Sequence, residues 1–206
     1  MNAEITPLEN GPLKARGIKA LKNARGKVVD TSEEIFLCRC GSSKNKPYCD
    51  GSHETVHFSG RKLRKGDIPI SKFVGKEVTV VDNFGLCAHA GYCVEGAPRT
   101  FFTKGKGGRV SHPDASDAAE VIAAIRRCPS GALLYRQGGK LVHKYAAETE
   151  VLVEKDGPLR VQRVALNGAT PATADHYSLC RCGASLNKPF CDGTHTKVRF
   201  RDGSPG

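Results

Sequence analysis

Sixteen residues occur twice in this chain, as CRCGSSKNKPYCDGSH from Cys38 to His53 and as CRCGASLNKPFCDGTH from Cys180 to His195. Each copy sets three cysteines and a histidine at the spacing C-x-C-x8-C-x3-H: Cys38, Cys40, Cys49 and His53, then Cys180, Cys182, Cys191 and His195. The repetition reaches past the cysteines. Gly11-Pro12-Leu13-Lys14 is echoed by Gly157-Pro158-Leu159-Arg160, and Thr55-Val56-His57-Phe58 by Lys197-Val198-Arg199-Phe200. Two homologous units are therefore expected at 11–60 and 157–203, the first longer by a four-residue insertion before its cysteines. A chain built this way must fold the same small unit twice around side chains that bind metal.

Nine cysteines is an odd number, which a closed set of disulfides cannot use up. The N-terminus lacks the apolar core of a secretory signal, and no apolar run approaches the ~18 residues a membrane span needs. The expectation is a cytoplasmic chain without a membrane anchor, whose cysteines serve metal rather than bridges. Three thiolates with one imidazole suit zinc or an iron–sulfur cluster, not a hard oxygen-seeking cation. Zinc fingers separate paired cysteines by two to four residues. A single intervening residue is a tighter bite that fits two thiolates on one iron of a binuclear cluster, so the spacing leans towards iron–sulfur and leaves zinc open.

Each unit begins with strand-like stretches: Lys14–Ala20 and Gly26–Val29 in the first, Leu159–Leu166 in the second. The cysteine segments, rich in Gly, Asn, Ser and Pro, read as loops until Asp50 or Asp192, where Asp-Gly-Ser/Thr caps a short helical turn carrying the histidine. Between the units, 61–75 is basic and Pro/Gly-punctuated and reads as a linker. In 76–145 a strand at Lys76–Val81 is followed by a hairpin around Gly105–Gly108. Then Ala118, Val121, Ile122 and Ile125 mark a helix over Asp114–Arg127, capped by Asp114 or Ser116, and Ala132–Arg136 returns as a strand.

The stretch Cys-x-Cys-x2-Ser-x3-Pro-x-Cys-Asp-Gly-Ser/Thr-His resembles the signature of the CDGSH iron–sulfur (NEET) family. Both copies match at every ligand, at Pro47 and Pro189, and at Asp50-Gly51 and Asp192-Gly193; Thr194 replaces the serine and keeps its hydroxyl. The resemblance implies two [2Fe-2S] clusters, each held by three cysteines and one histidine. Cys38 and Cys40 would hold an inner iron and Cys49 and His53 the outer, with Cys180/Cys182 and Cys191/His195 likewise. It further implies an α+β fold in which the two units form an intrachain pseudo-dimer, a β-rich cap with cluster loops and short helices, and hence a monomer rather than an obligate homodimer. An imidazole ligand in place of a thiolate makes cluster retention pH-dependent and raises the reduction potential.

The middle segment carries Cys87-Ala88-His89-Ala90-Gly91-Tyr92-Cys93 and, later, Cys128-Pro129. Bacterial ferredoxins place C-x2-C-x2-C before a distant Cys-Pro. The outer cysteines fit, but Ala90 stands at the central position. The segment resembles a divergent single-cluster ferredoxin domain, which implies Cys87, Cys93 and Cys128 as ligands of either a [3Fe-4S] cluster or, with His89 as fourth ligand, a [4Fe-4S] cluster.

Other residues carry plainer readings. Arg39 and Arg181, between paired cysteines, offset cluster charge, hydrogen-bond cluster sulfide or are solvated. Lys46 and Lys188 are candidates for partner contact. His57 and His176 are expected at the surface, His112 at a helix entry and His143 at a solvated strand end. The formal charge of +11 is spread as +6, +2 and +3 over residues 1–66, 67–150 and 151–206. Bound anionic clusters would bring it nearer roughly +7. That scatter, with few aromatics, argues against a zinc-stabilised nucleic-acid module, and no Walker, GxSxG or HExxH motif marks an enzyme. The expected function is electron transfer, with a redox protein as partner; the alternative is cluster donation to an apo iron–sulfur acceptor, or redox or pH sensing.

Overall fold

The computed structural model describes residues 2–203 apart from 30, 67–68, 102–103, 106–107 and 174. The first unit comprises β1 (Glu4–Pro7), β2 (Leu13–Arg16), β3 (Leu21–Lys22), β4 (Glu34–Leu37) and the one-turn helix α1 (Ser52–Thr55). The middle segment follows with β5 (Ser71–Val74), β6 (Thr79–Asp82), α2 (Tyr92–Gly96), α3 (Pro98–Phe101), β7 (Lys104–Gly105), β8 (Gly108–Arg109), α4 (Ala118–Arg126), β9 (Leu133–Gln137) and β10 (Lys140–Val142). The second unit repeats the first as β11 (Glu150–Val153), β12 (Leu159–Gln162), β13 (Ala165–Leu166), β14 (His176–Leu179) and α5 (Thr194–Lys197).

The two repeated units exchange strands. One sheet runs β13-β1-β2-β4, so the second unit's β13 lies parallel to β1 of the first. The other runs β14-β12-β11-β3, so the first unit's β3 lies parallel to β11 of the second. Alternate residues point to one shared interior: Leu13 and Ala15, Ile35 and Leu37, Val151 and Val153, Leu159 and Val161 are all buried in a single core with Tyr177 and Leu179. Neither unit closes that core alone, which is why the two copies pair within one chain. The repeat also starts one strand earlier than the motif-bearing stretches suggested, since β1 and β11 precede the Gly-Pro-Leu turns.

The middle segment has its own sheet, β10-β9-β6-β5, covered by the helices. Val121, Ala124 and Ile125 of α4 pack with Val80, Leu133 and Tyr135, while Ala118 and Ile122 sit at the edge of that core. The helix is shorter than expected: residues 113–115 form a 3-10 turn and Asp117 is the N-cap. Asp114 is occupied elsewhere, its Oδ1 accepting the Lys76 N–H at 2.8 Å. The reading of 61–75 as linker is corrected at its end, because β5 pairs with β6 there. As an edge strand with a lysine and only Phe73 packed inward, its composition looks like a connection. The short strands β7 and β8 pair across the expected hairpin, whose turn at 106–107 lies outside the described residues.

Candidate metal centres

Each cysteine loop is tied down by the residues that make up its motif. The Cys38 N–H bonds the Pro47 carbonyl and the Cys49 N–H the Phe36 carbonyl, both at 2.8 Å. Cys180 and Cys191 bond the Pro189 and Ser178 carbonyls in the same way, both at 2.9 Å. The motif serine accepts and donates inside the loop: Ser43 Oγ donates to the Tyr48 carbonyl and Ser185 Oγ to the Phe190 carbonyl. Asp50 accepts the Ser52 N–H and hydroxyl on one oxygen and the Lys44 N–H on the other. Asp192 does the same with Thr194 and Leu186. This explains why serine and threonine are interchangeable there. Gly51 and Gly193 turn the chain into the histidine-bearing helices at φ of +87° and +80°, a left-handed conformation that glycine adopts at least cost.

The donors come together in pairs. Cys38 Sγ and Cys40 Sγ are 3.7 Å apart, Cys180 Sγ and Cys182 Sγ 3.8 Å. Cys49 Sγ and His53 Nδ1 are 3.4 Å apart, as are Cys191 Sγ and His195 Nδ1. Two donors on one tetrahedral metal at ~2.3 Å lie about 3.7 Å apart, so each pair has the bite of a single ion. Among the described residues, no three of His, Cys, Asp and Glu converge on a point one ion could occupy. Two ions per motif, each held by two donors, fit the set better than one zinc does, and that is the donor arrangement of a [2Fe-2S] cluster. Within each C-x-C pair the sulfur–sulfur hydrogen bond pushes one thiol down, Cys38 and Cys182, and the other up, Cys40 and Cys180. Burial pushes the Cys191 thiol up to about 12. Bound cations would supply the charge that keeps all these sulfurs as thiolates.

Arg39 and Arg181 are buried, not solvated. Arg39 donates to the Gly11 carbonyl at 2.7 Å and to the Leu8 carbonyl, with its guanidinium over the Phe58 ring. Arg181 donates to the Glu154 and Gly157 carbonyls and pairs with Asp202, over the Phe200 ring. The repeated Gly-Pro-Leu, Cys-Arg-Cys and Phe elements are thus one linked device. Each arginine also feels the first cysteine of the other motif, Arg39 feeling Cys180 and Arg181 feeling Cys38. The two lysines put forward for partner contact each donate within their own loop: Lys46 Nζ to the Ser43 carbonyl, half-exposed, and Lys188 Nζ, buried, to the Ser185 carbonyl.

The motifs lie back to back. A Cβ on Gly41 would stand 2.8 Å from the Cys182 carbonyl oxygen, and one on Gly183 2.3 Å from that of Cys40. Only glycine lets the two Cys-Gly segments pass so closely.

Cys87, Cys93 and Cys128 border one cavity in the middle segment. Cys87 ends a 3-10 turn, Cys93 sits in the first turn of α2, and Cys128 lies just past α4. Arg109 enters from β8, paired with buried Asp82 at 3.0 Å and placed 3.4 Å from Cys87 Sγ and 3.9 Å from Cys93 Sγ. Nothing in the sequence marks Arg109, because its partners are brought to it only by the sheet. Burial raises the Cys87 and Cys93 thiols while Arg109 opposes the shift. Three thiols lining one cavity beside a cation suit an anionic polynuclear cluster; among the described residues no fourth cysteine lines it. His89 borders the same cavity, but its ring lies against Gly193 of the second motif.

His176, expected at the surface, is buried at the seam between the middle segment and the second unit. It bonds the Tyr145 hydroxyl at 3.0 Å and Asp175 at 3.3 Å. Ser178 Oγ donates to the Pro129 carbonyl across the same seam. His143, expected to be solvated, contacts Thr173. His57 is exposed, and His112 precedes a 3-10 turn.

Residues 10–54 and 156–196 match the family described as iron-binding zinc finger, CDGSH type, and residues 73–138 match a divergent 4Fe-4S mono-cluster family. The uncharacterized protein YjdI from two Escherichia coli strains is 41% identical over 64 residues, which span 31% of this chain and 82% of YjdI. No solved structure gives a significant match. Among the described residues no helix is long and apolar enough to cross a membrane. With its two motifs, their paired donors and the three-cysteine cavity between them, the chain belongs to the CDGSH iron–sulfur family, in a tandem form carrying a divergent 4Fe-4S mono-cluster domain between its two units.

Proposed function

We propose that this protein is a cytosolic electron carrier holding a [2Fe-2S] cluster in each CDGSH motif and a [3Fe-4S] or [4Fe-4S] cluster in the middle domain. When bound, such clusters take up and release single electrons. The chain's own residues keep the three cysteine-bearing segments in contact. The two motifs meet at Gly41, Gly183 and the carbonyls of Cys40 and Cys182, and the second meets the middle domain where His89 rests on Gly193. This contiguity of three cysteine-bearing segments is the observation that carries the reading, since a structural metal module has no use for it. Backbone N–H groups of Ser42, Gly51 and Gly193 point at Cys40, Cys49 and Cys191 sulfurs at 3.4–3.5 Å, which favours the reduced state of a cluster held there. The positive net charge suits an acidic redox protein as partner.

Anaerobically purified protein is expected to be brown, to contain iron and acid-labile sulfide, to bleach with dithionite and to recover in air. A colourless protein containing zinc would overturn the reading. An EPR signal in the oxidised state would mark [3Fe-4S] in the middle domain. Cluster donation is a second reading, favoured by the open surroundings of Gly51, where an added Cβ would meet nothing within 4 Å. Loss of iron and sulfide to an apo-ferredoxin, rather than electron exchange without loss, distinguishes it.

A further inference from the structure

The same motif stands in two different settings. Around the first, Gly51 and Asp50 are exposed and Cys49 is half-buried. Around the second, Gly193 and Cys191 are buried and the Asp192 side chain is 3% exposed. Both coverings of the second motif come from outside the repeat. The strand-like connection after the first unit crosses the second loop, with the Leu63 and Arg64 N–H groups both on the Leu186 carbonyl. Arg64 also reaches Asp192 at 3.8 Å and the Gly85 carbonyl at 3.2 Å, and Asn187 holds the same carbonyl from the other side. The second covering is the His89 ring. A Cβ on Gly193 would lie 1.9 Å from its Cδ2, so the imidazole rests directly on the turn that joins Cys191 to His195. His89 takes a left-handed φ of +57° to reach it, and Phe84 packs edge-on behind the ring.

We propose that the middle domain is a roof for the second CDGSH site: His89, held by its backbone turn and by Phe84, covers the Cys191-to-His195 turn at Gly193, while the strap through Arg64 covers Asp192 and ties down the loop. His89 is on this assignment a positioning residue that shields the second site, and not a ligand in the middle one. The consequence is a division of labour between chemically equal motifs. The second site retains its cluster, and the first, which among the described residues has no covering of either kind, is the one that exchanges it with solvent or a partner. Exchange at a covered site needs a local opening that the uncovered site does not, so the two rates should separate.

The inference rests on both motifs binding clusters, and its test separates the two. The full-length holoprotein is mixed with an iron chelator such as bathophenanthroline disulfonate at fixed pH, and release is followed by the chelator complex and by visible absorbance. His53→Cys and His195→Cys variants, whose altered spectra tag one motif each, assign the phases. The expected result is that the first motif releases iron faster than the second by about tenfold or more. His89→Ala should bring the second close to the first, and His89→Phe, a flat ring that cannot coordinate iron, should keep most of the protection. Equal rates in the unsubstituted protein, or an unchanged second-motif rate in His89→Ala, would overturn the proposal. So would loss of middle-domain iron in His89→Phe with both motif rates unchanged, which would make His89 a ligand there. A protein with no iron at the outset would sink the electron-carrier reading instead.

Discussion

At Gly51 in the first motif an added methyl would meet open space; at Gly193 in the second it would collide with His89. The two motifs share their ligands, their loop hydrogen bonds and their left-handed glycine. Four non-ligand positions differ, Ser42/Ala184, Lys44/Leu186, Tyr48/Phe190 and Ser52/Thr194, but the larger contrast is in what the rest of the molecule lays over them. The lesson is that a repeated metal site is made unequal not by changing its donors but by placing a third element against one copy, which leaves the coordination chemistry untouched.

The largest expected break in this comparison comes from the glycines themselves. Gly51→Ala carries only the left-handed strain, about 1–2 kcal/mol. Gly193→Ala adds displacement of a packed ring, so its cost should exceed that of Gly51→Ala by about 1–3 kcal/mol, read as the difference in urea unfolding midpoints at constant slope. Equal costs would mean that the His89 contact yields freely.

A smaller separation is expected at the aspartates. Both accept three hydrogen bonds within their loops, but Asp192 is covered and also faces Arg64. Burial alone would raise its carboxyl; the Thr194 hydroxyl, the Leu186 and Thr194 N–H groups and Arg64 outweigh burial and hold it below the ordinary range. Asp192→Ala should cost about 1–2 kcal/mol, because the Thr194 N–H and hydroxyl it leaves are half-buried, although the Leu186 N–H can turn to solvent. Asp50→Ala should cost less, since solvent takes over for its exposed loop. The same denaturation measurement decides.

The smallest effect concerns the seam that only the second unit has. Asp175 accepts the Tyr145 and Ala146 N–H groups and contacts His176. Burial raises its carboxyl, yet the two N–H bonds and His176 bring it below the ordinary value. A group depressed in the folded state stabilises the fold fully above its unfolded pKa of about 3.9, and that stabilisation is lost as pH falls through the lower, folded value. Unfolding midpoints between pH 5 and 3 should therefore fall less steeply in Asp175→Asn than in the unsubstituted protein.

Much of this was legible in the chain. The spacing C-x-C-x8-C-x3-H, the doubled Gly-Pro-Leu and the Cys-Pro of the middle segment are local patterns, and local patterns survive in one dimension. The family resemblance carried by the doubled motif implied a paired fold, although β1 and β11, which carry no motif, extended it. What the spacing missed were contacts between segments far apart in sequence. Arg39 and Arg181 read as surface or charge-balancing residues because the carbonyls of Gly11 and Gly157 that hold them lie 28 and 24 residues away. His176 read as exposed because its partner Tyr145 belongs to another part of the chain.

Ligand type and short-range spacing are covalent facts, so which atoms can bind metal, in two matched sets and one odd one, follows from the order of residues. Folding in three dimensions is what makes β3 and β13 change places, brings Arg109 to Cys87 and Cys93, and lays His89 on Gly193 while Gly51 stays open. Those outcomes depend on how sheets pack and which surfaces are left to meet, and identical motifs carry no record of their neighbours.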